Sequence, residues 1–177
     1  MLLLRLLSGG RAALPVAAAS VLTVAALVAT PASATTRVEK TFGKWVVACV
    51  DSDAGARSCS MTQQVAAPAP ARGYTLVAVI RGSKAQQTLA LLAPTGVSLK
   101  DGITLSLGDP PTNLAYSECG PRVCAASIPF DSKLLAALKG SPKVLASYVL
   151  GNKKLVQATV DLATFGDGYA YFASQLQ

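Results

Sequence analysis

Ser58-Cys59-Ser60-Met61-Thr62-Gln63-Gln64-Val65 is the stretch of sequence that decides the fold class. Its residues alternate between two faces: every second position from Cys59 to Val65 forms one face, and the positions from Ser58 to Gln64 form a polar face. Alternation with a period of two is typical of a half-buried β-strand. The stretch therefore predicts a strand whose polar face meets water.

Similar short segments, separated by Gly, Pro, Asn and Asp, occupy the chain on both sides of this stretch. A helix is predicted only over Asp131 to Lys139, where Asp131 can cap the start and Gly140 with Pro142 end it. Many short strands and one short helix near the C-terminal third predict an all-β fold, a two-sheet antiparallel sandwich rather than a closed barrel. The predicted strands are 42–50, 58–65, 74–81, 87–92, 103–107, 114–118, 123–128, 143–150 and 153–160.

Two loops between the predicted strands have distinctive compositions. Gly151-Asn152 separates the last two strands and predicts a two-residue primed turn, because such turns need positive φ angles. The segment 66–71 contains only alanine and proline, and it predicts an extended, solvated surface loop.

Residues 1–34 have the composition of a secretory signal peptide. Two arginines lie near the start, 12–30 is an apolar run, and the segment ends with Ala-Ser-Ala, the small-x-small pattern that signal peptidases cleave. We therefore predict cleavage near Ala34 and a single mature domain over 35–177, which is periplasmic, secreted or associated with the outer membrane. An uncleaved membrane anchor is the alternative, because the apolar run is almost long enough to span a bilayer.

The predicted mature chain is moderately basic. Once the two arginines of 1–34 are removed, 14 Lys and Arg remain against 9 Asp and Glu. The positive residues are scattered, with local density only at Lys139, Lys143, Lys153 and Lys154, and aromatic residues are not interleaved with them. This pattern does not favour nucleic-acid binding, although weak attraction to anionic membrane surfaces is expected.

The residues that most enzymes use are missing or badly placed. The chain contains no histidine, which removes Ser–His and Cys–His nucleophilic pairs and the commonest zinc ligand. The close carboxylate pair Asp51 and Asp53 lies in a predicted turn, where such side chains bond to local backbone. A calcium-ligand role and a carboxylate-dependent hydrolase are the alternatives for this pair. We predict no catalytic residue, metal site or cofactor, and hence not an enzyme.

The four cysteines fall into two local pairs, Cys49 with Cys59 and Cys119 with Cys124. In an oxidising compartment they are expected to form disulfides. Three connectivities exist, and we favour local pairing because each pair flanks a turn, which places the two sulfurs opposite each other on paired strands. A zinc site of four thiolates is the alternative, although the spacing is looser than usual.

Four aromatic residues are the candidates for ligand or partner binding. Trp45 is in phase with Cys49 and is expected in the core against a disulfide, with a stacking platform for sugar as the alternative. The C-terminal aromatics follow the last predicted strand, where they either close one end of the sandwich or form an exposed patch that docks on a partner. The candidates are Trp45, Tyr169, Tyr171 and Phe172.

Four stretches of the mature chain match the ordered motifs of one group of bacterial proteins. Residues 43–49 match G-x-W-x-V-x-C, and 59–63 match C-x-M-x-Q. Residues 94–105 match P-x-G-V-x-L followed by x-x-G-I-x-L, and Cys119 with Cys124 match a second cysteine pair. Together they resemble the invasion-associated locus B family of exported proteins, over about residues 41–165.

The resemblance implies an immunoglobulin-like β-sandwich of the periplasm or outer membrane, which in some pathogens is linked to entry into host cells. It implies no catalytic residues. The leading hypothesis is therefore a non-enzymatic interaction protein whose partner is an envelope or host-surface protein. The alternative is a periplasmic protein that binds a small ligand or a glycan.

Overall fold

Eleven strands and two helices make up the part of the chain that the computed structural model describes, residues 36–53, 55–66 and 74–176. The predicted signal peptide and most of the alanine- and proline-rich loop lie outside the described residues. The strands are β1 (Arg37–Phe42), β2 (Trp45–Asp51), β3 (Arg57–Ala66), β4 (Tyr74–Gly82), β5 (Gln87–Pro94), β6 (Ile103–Ser106), β7 (Thr112–Leu114), β8 (Tyr116–Cys119), β9 (Val123–Pro129), β10 (Lys143–Val149) and β11 (Leu155–Asp161). The helices are α1 (Ser132–Lys139) and α2 (Phe165–Gln175).

Two antiparallel sheets enclose one hydrophobic core. The large sheet has the strand order β1-β2-β3-β4-β5-β9-β8, and the small sheet has the order β11-β10-β6-β7. Side chains from both sheets meet in the core, and Ile80, Leu91 and Ile103 are at most 1% exposed. The prediction of an all-β, two-sheet sandwich is confirmed. Its first five strands form a meander, so the likeness to immunoglobulin domains lies in the two layers rather than in their Greek-key connections.

The alternation that predicted β3 is present in the structure. Cys59, Met61 and Gln63 are buried on the inner face, whereas Ser58 and Gln64 are exposed on the outer face. Gln63 has a polar side chain, yet it is buried, with 1% of its surface exposed. The cysteine predictions are also confirmed, since Cys49 is disulfide-bonded to Cys59 across β2 and β3, and Cys119 is bonded to Cys124 across β8 and β9.

The prediction of a single helix is wrong, because a second helix, α2, forms over the C-terminal aromatic residues. Its first turn contains Gly166 and Gly168, two residues that disfavour helices. Gly168 serves close packing instead: a Cβ at this position would lie 2.8 Å from Met61 Cε and 3.4 Å from Phe42 Cβ. The helix therefore rests directly on β1 and β3. Among the described residues, neither helix is long and apolar enough to cross a bilayer.

The loop between β10 and β11 differs from the predicted two-residue turn. The hairpin itself forms, but Leu150 N–H donates to the Lys154 carbonyl at 2.9 Å, which leaves three residues in the loop. Lys153 ends that loop with a φ of 67°. A turn followed by a residue with positive φ is the usual form of a three-residue hairpin loop, and here a lysine rather than Gly151 takes the left-handed position.

Two other predicted strands have different limits. The strand predicted over 42–50 starts at a hairpin turn: Gly43, with a φ of 57°, and Lys44 connect β1 to β2. The strand predicted over 114–118 is divided at Ala115, because β7 belongs to the small sheet and β8 to the large sheet. Alternation along a sequence does not reveal where a chain moves from one sheet to the other.

The hydroxyl of Tyr116 is a buried polar atom with no hydrogen-bond partner among the described residues. Burial raises the pKa of Tyr116 to about 12, and the neighbouring Tyr148 adds to this shift. A buried hydroxyl without a partner costs about 1 to 3 kcal/mol. We therefore expect Tyr116→Phe to raise the free energy of unfolding near neutral pH by about 1 kcal/mol, measured by urea denaturation.

The same substitution is expected to change the response to alkali. The pKa of Tyr116 is about 12 in the folded chain but 10.0 in its usual state, so the unfolded chain loses this proton first. The free energy of unfolding is therefore unaffected by this ionisation below pH 10 and falls as the pH rises towards about 12. Urea denaturation of Tyr116→Phe over this pH range should show a shallower loss of stability than the unsubstituted protein. A less stable variant near neutral pH would contradict the assignment of an unpartnered hydroxyl.

Candidate binding site on the outer face of the large sheet

Two of the four aromatic candidates lie in the core. Trp45 is 2% exposed, its Nε1 donates to the Asp161 carbonyl at 2.8 Å, and Phe165 approaches its ring edge-on with 5.4 Å between ring centroids. Phe172 is fully buried. Neither ring offers a surface to a ligand, so the sugar platform at Trp45 and the binding role of Phe172 are corrected to core positions.

The two tyrosine candidates are half-buried and fasten α2 to the large sheet. Tyr169 donates from its hydroxyl to Gln87 Oε1 at 3.0 Å. The Tyr171 ring lies 5.5 Å from that of Phe42, and Lys40 Nζ sits 4.6 Å from the Tyr171 centroid. These contacts favour the interpretation that the C-terminal aromatics close one end of the sandwich. A role of these tyrosines in binding stays a prediction.

The motif residues that carried the family resemblance form a structural cluster at the end of β11. Gln63 Nε2 donates to the Asp161 carbonyl at 2.8 Å, and Asp161 N–H donates to Gln63 Oε1 at 2.7 Å. The amide of Gln63 thus satisfies the backbone of Asp161 as a neighbouring strand would. The same carbonyl accepts from Trp45, so one backbone group joins β11 of the small sheet to β2 and β3 of the large sheet.

The glycine of the first motif belongs to this cluster. A Cβ on Gly43 would lie 2.5 Å from Thr164 Oγ1, and that hydroxyl donates to the Phe42 carbonyl at 2.7 Å. The β1–β2 turn therefore packs directly against Thr164, the residue that precedes α2. Residues of the first two motifs therefore hold the two sheets and the start of α2 together.

The carboxylates considered for catalysis or calcium binding do not form a pair. Both oxygens of Asp51 accept from Arg57, at 2.7 and 2.9 Å, and this contact lowers the pKa of Asp51. Asp53 lies in a local turn in which Gly55 N–H donates to the Ser52 carbonyl at 2.8 Å. Within the described ranges, no group of three or more His, Cys, Asp or Glu side chains is placed to hold a metal ion.

The outer face of the large sheet carries a row of apolar residues that crosses three strands and ends at a charged residue on a fourth. Val77 on β4 is opposite Leu92 on β5, Leu92 is opposite Ala125 on β9, and Ala125 is opposite Glu118 on β8. Directly opposed residues of antiparallel strands share a face. Because Ala78 and Leu91 next to this row point into the core, the row itself points outward.

A cavity of about 400 Å³, here called the outer groove, lies over these strands. Its floor consists of Val79, Ala90, Leu92, Val123 and Ala125. Ala90 and Ala125 are buried, so the partly exposed side chains of this floor are Val79, Leu92 and Val123. Arg81 on β4 and Glu118 on β8 also line it, and three strand spacings, about 14 Å, separate those two strands. Neither charged side chain has a hydrogen bond or ion pair within the described part of the chain. The outer groove therefore offers an apolar floor between one positive and one negative group.

A polar cavity of about 530 Å³ adjoins the outer groove at Arg81. Arg57, Ser58, Ser83, Gln86 and Thr88 contribute to its wall. Arg57 already pairs with Asp51 and donates from Nη1 to Gln175 Oε1 at 3.1 Å. Arg81 is thus the cation of this region that a ligand can engage without displacing a partner among the described residues.

Two continuous apolar runs in the sequence indicate the outer groove. The segments 76–80 and 89–93 are apolar at every position, whereas 58–65 alternates. A strand that faces water on one side should carry polar residues there. Continuous apolar runs in two neighbouring strands therefore predict that their outward side chains are apolar as well.

Comparison with known proteins places the chain in a family. The family model described as "Invasion associated locus B (IalB) protein" matches residues 45–173. The chain belongs to the invasion-associated locus B family. Family membership together with the two disulfides indicates an extracytoplasmic location. The predicted cleavage near Ala34 falls outside the described residues.

Relatives of this invasion-associated locus B protein occur in Brucella and Bartonella. It is 31% identical over 141 residues to the invasion protein B homologues of Brucella abortus strain 2308 and of Brucella abortus biovar 1 strain 9-941, covering 77% of this chain and 79% of each relative. The crystal structure of invasion associated protein B from Bartonella henselae has the same fold, with a TM-score of 0.66, 17% identity, and coverage of 77% of this chain and 95% of that chain.

Proposed function

We propose that this invasion-associated locus B protein is a non-enzymatic interaction protein of the bacterial envelope. In this proposal the outer groove holds an extended segment of an envelope or host-surface protein. The single observation that carries the proposal is the apolar floor of the outer groove between Arg81 and Glu118.

The dimensions and charges of the outer groove suggest the chemistry of the partner segment. Glu118 is level with Val77 in the register, and Arg81 lies four residues further along β4. About 14 Å across the strands and about 13 Å along them give a separation of about 19 Å, which about six residues of extended chain would span at about 3.3 Å each. A segment with apolar side chains in the middle, an acidic residue near Arg81 and a basic residue near Glu118 would complement the lining. Charges at the rim chiefly set association rate and specificity, whereas the apolar floor supplies the contact area.

A binding role is also supported by the way the acidic candidates are used. Asp51 is held by two hydrogen bonds from Arg57, so it contributes to the β2–β3 hairpin rather than to a reaction centre. Trp45 and Gln63 of the first two motifs are likewise occupied by contacts between the sheets.

Photo-cross-linking in intact cells tests the proposal. We expect a photoreactive amino acid at Leu92, in the floor of the outer groove, to capture a discrete protein that mass spectrometry can identify. Arg81→Glu should reduce the yield about ten-fold, because a reversed charge at the rim costs at least about 1.4 kcal/mol of binding free energy. Urea denaturation of Arg81→Glu verifies that the variant is folded.

Matched positions outside the outer groove serve as controls. Gln157 is exposed on β11 of the small sheet, and a photoreactive residue there should not capture the same protein. Lys143→Glu makes the same change of charge as Arg81→Glu at the start of β10, and it should leave the cross-link at Leu92 unchanged. Equal capture at Gln157, or no capture at Leu92, would refute the proposed binding face.

Binding of a small anionic ligand is the second candidate function, favoured by the polar cavity that adjoins the outer groove. A carboxylate or phosphate could pair with Arg81 and accept from the hydroxyls of Ser58 or Ser83. Isothermal titration with inorganic phosphate and with a short-chain fatty acid would test it. Quenching of Trp45 fluorescence is a poor probe, because that side chain is buried.

A further inference from the structure

Two loops of the small sheet lie side by side and carry the most exposed leucines of the described residues. Val97 forms an antiparallel bridge with Leu150, Ser98 N–H donates to the Val149 carbonyl at 2.7 Å, and Gly151 N–H donates to the Gly96 carbonyl at 2.7 Å. These contacts join residues 96–101 to residues 150–155 at one end of β10. We call this pair of loops the two-loop tip.

Both halves of the two-loop tip expose a large apolar side chain. Leu99 is 60% exposed and Leu155 is 57% exposed. In contrast to Leu150, which is partly buried against the core, these two leucines leave most of their surface in water. The backbone bonds between the loops hold both leucines on segments of adjacent backbone.

The charges around these leucines are mostly positive. Lys100, Lys153 and Lys154 are exposed, and none of them forms an ion pair within the described ranges. Asp101 is the acidic residue of the same loops. The two-loop tip therefore combines exposed leucines with a local excess of two positive charges.

We infer that the two-loop tip docks on the surface of an anionic phospholipid bilayer, a contact separate from the outer groove. Lysines that surround exposed leucines match such a surface, because the phosphates attract the lysines and the leucines enter the boundary between head groups and acyl chains. Charge complementarity commits the inference to anionic lipid. A protein partner would need an acidic surface with an apolar centre.

Vesicle co-sedimentation tests the inference with the exported protein, recovered from the envelope fraction and with its N-terminus determined by mass spectrometry. We expect binding to vesicles that contain phosphatidylglycerol and little binding to pure phosphatidylcholine. Lys153→Glu combined with Lys154→Glu should weaken binding more than ten-fold, since each lysine near an anionic surface contributes about five-fold. Leu99→Ser combined with Leu155→Ser should weaken it about as much.

A second double variant separates a local site from net charge. Lys84→Glu combined with Lys143→Glu changes the net charge equally, but Lys84 lies in the β4–β5 turn and Lys143 starts β10, both at the far ends of strands that lead to the two-loop tip. This control should bind within about two-fold of the original protein. Equal loss in both lysine variants, unchanged binding of the leucine variant, or capture of a protein rather than lipid by a photoreactive group at Leu99 would overturn the inference.

Discussion

Gln63→Ala is expected to lower the free energy of unfolding by about 3 kcal/mol, because it leaves two buried backbone groups of Asp161 without their side-chain partner. The lost bonds are those from Gln63 Nε2 to the Asp161 carbonyl at 2.8 Å and from Asp161 N–H to Gln63 Oε1 at 2.7 Å. The carbonyl retains its bond from Trp45, but the N–H loses its side-chain acceptor. Urea denaturation followed by circular dichroism measures the change.

The neighbouring glutamine is a matched control. Gln64 is adjacent in sequence and lies on the same strand, but it is exposed on the outer face. Gln64→Ala should change the free energy of unfolding by no more than about 0.5 kcal/mol, as is usual for surface substitutions. If the two variants were equally stable, the bond between the sheets through Gln63 would contribute nothing and our account of the second motif would be wrong.

Trp45→Ala is expected to have a larger effect and to lower the free energy of unfolding by about 4 kcal/mol. The substitution leaves a large cavity in the core and removes a hydrogen bond. The ring fills the space against Phe165, and Nε1 reaches the Asp161 carbonyl. Trp45→Phe should cost about half as much, since an aromatic ring remains. Thermal and urea unfolding must be followed by circular dichroism, because Trp45 is the single tryptophan of the chain.

A double-mutant cycle checks the shared acceptor. Trp45 Nε1 and Gln63 Nε2 donate to the same carbonyl, so Trp45→Phe and Gln63→Ala should be non-additive by about 1 kcal/mol. The second loss should be the larger, because it alone leaves the carbonyl without either side-chain donor. Strict additivity would indicate that the carbonyl finds another donor once either side chain is removed.

Local sequence patterns predicted β3 and the disulfides because each depends on neighbouring residues. A period of two fixes which side of β3 is buried, and a turn between two cysteines fixes their pairing. The same local logic failed for α2, whose first turn contains Gly166 and Gly168, two residues that disfavour helices. A side chain at position 168 would collide with Met61, which lies more than a hundred positions earlier in the sequence. Only the folded chain shows that contact.

The candidate site was harder to predict than the fold. The phase of Trp45 with Cys49 predicted its place in the core, which the structure confirms, whereas its hydrogen bond to a carbonyl on a distant strand could not be predicted from the sequence. The outer groove is assembled from short aliphatic residues of β4, β5 and β9, none of which is chemically distinctive alone. Register across those strands brings Leu92 beside Ala125, and the sequence does not state that register.

The two edges of the large sheet also bear on how the protein behaves when crowded. β1 is exposed along nearly its whole length and carries Arg37, Glu39 and Lys40, whereas β8, at the other edge, has four residues and ends at a disulfide. Charged or very short edge strands resist pairing with a second chain, which is how native sheets avoid fibril growth. The edges of this sheet therefore disfavour polymerisation when the protein is concentrated outside the cytoplasm, even though part of its outer face is apolar.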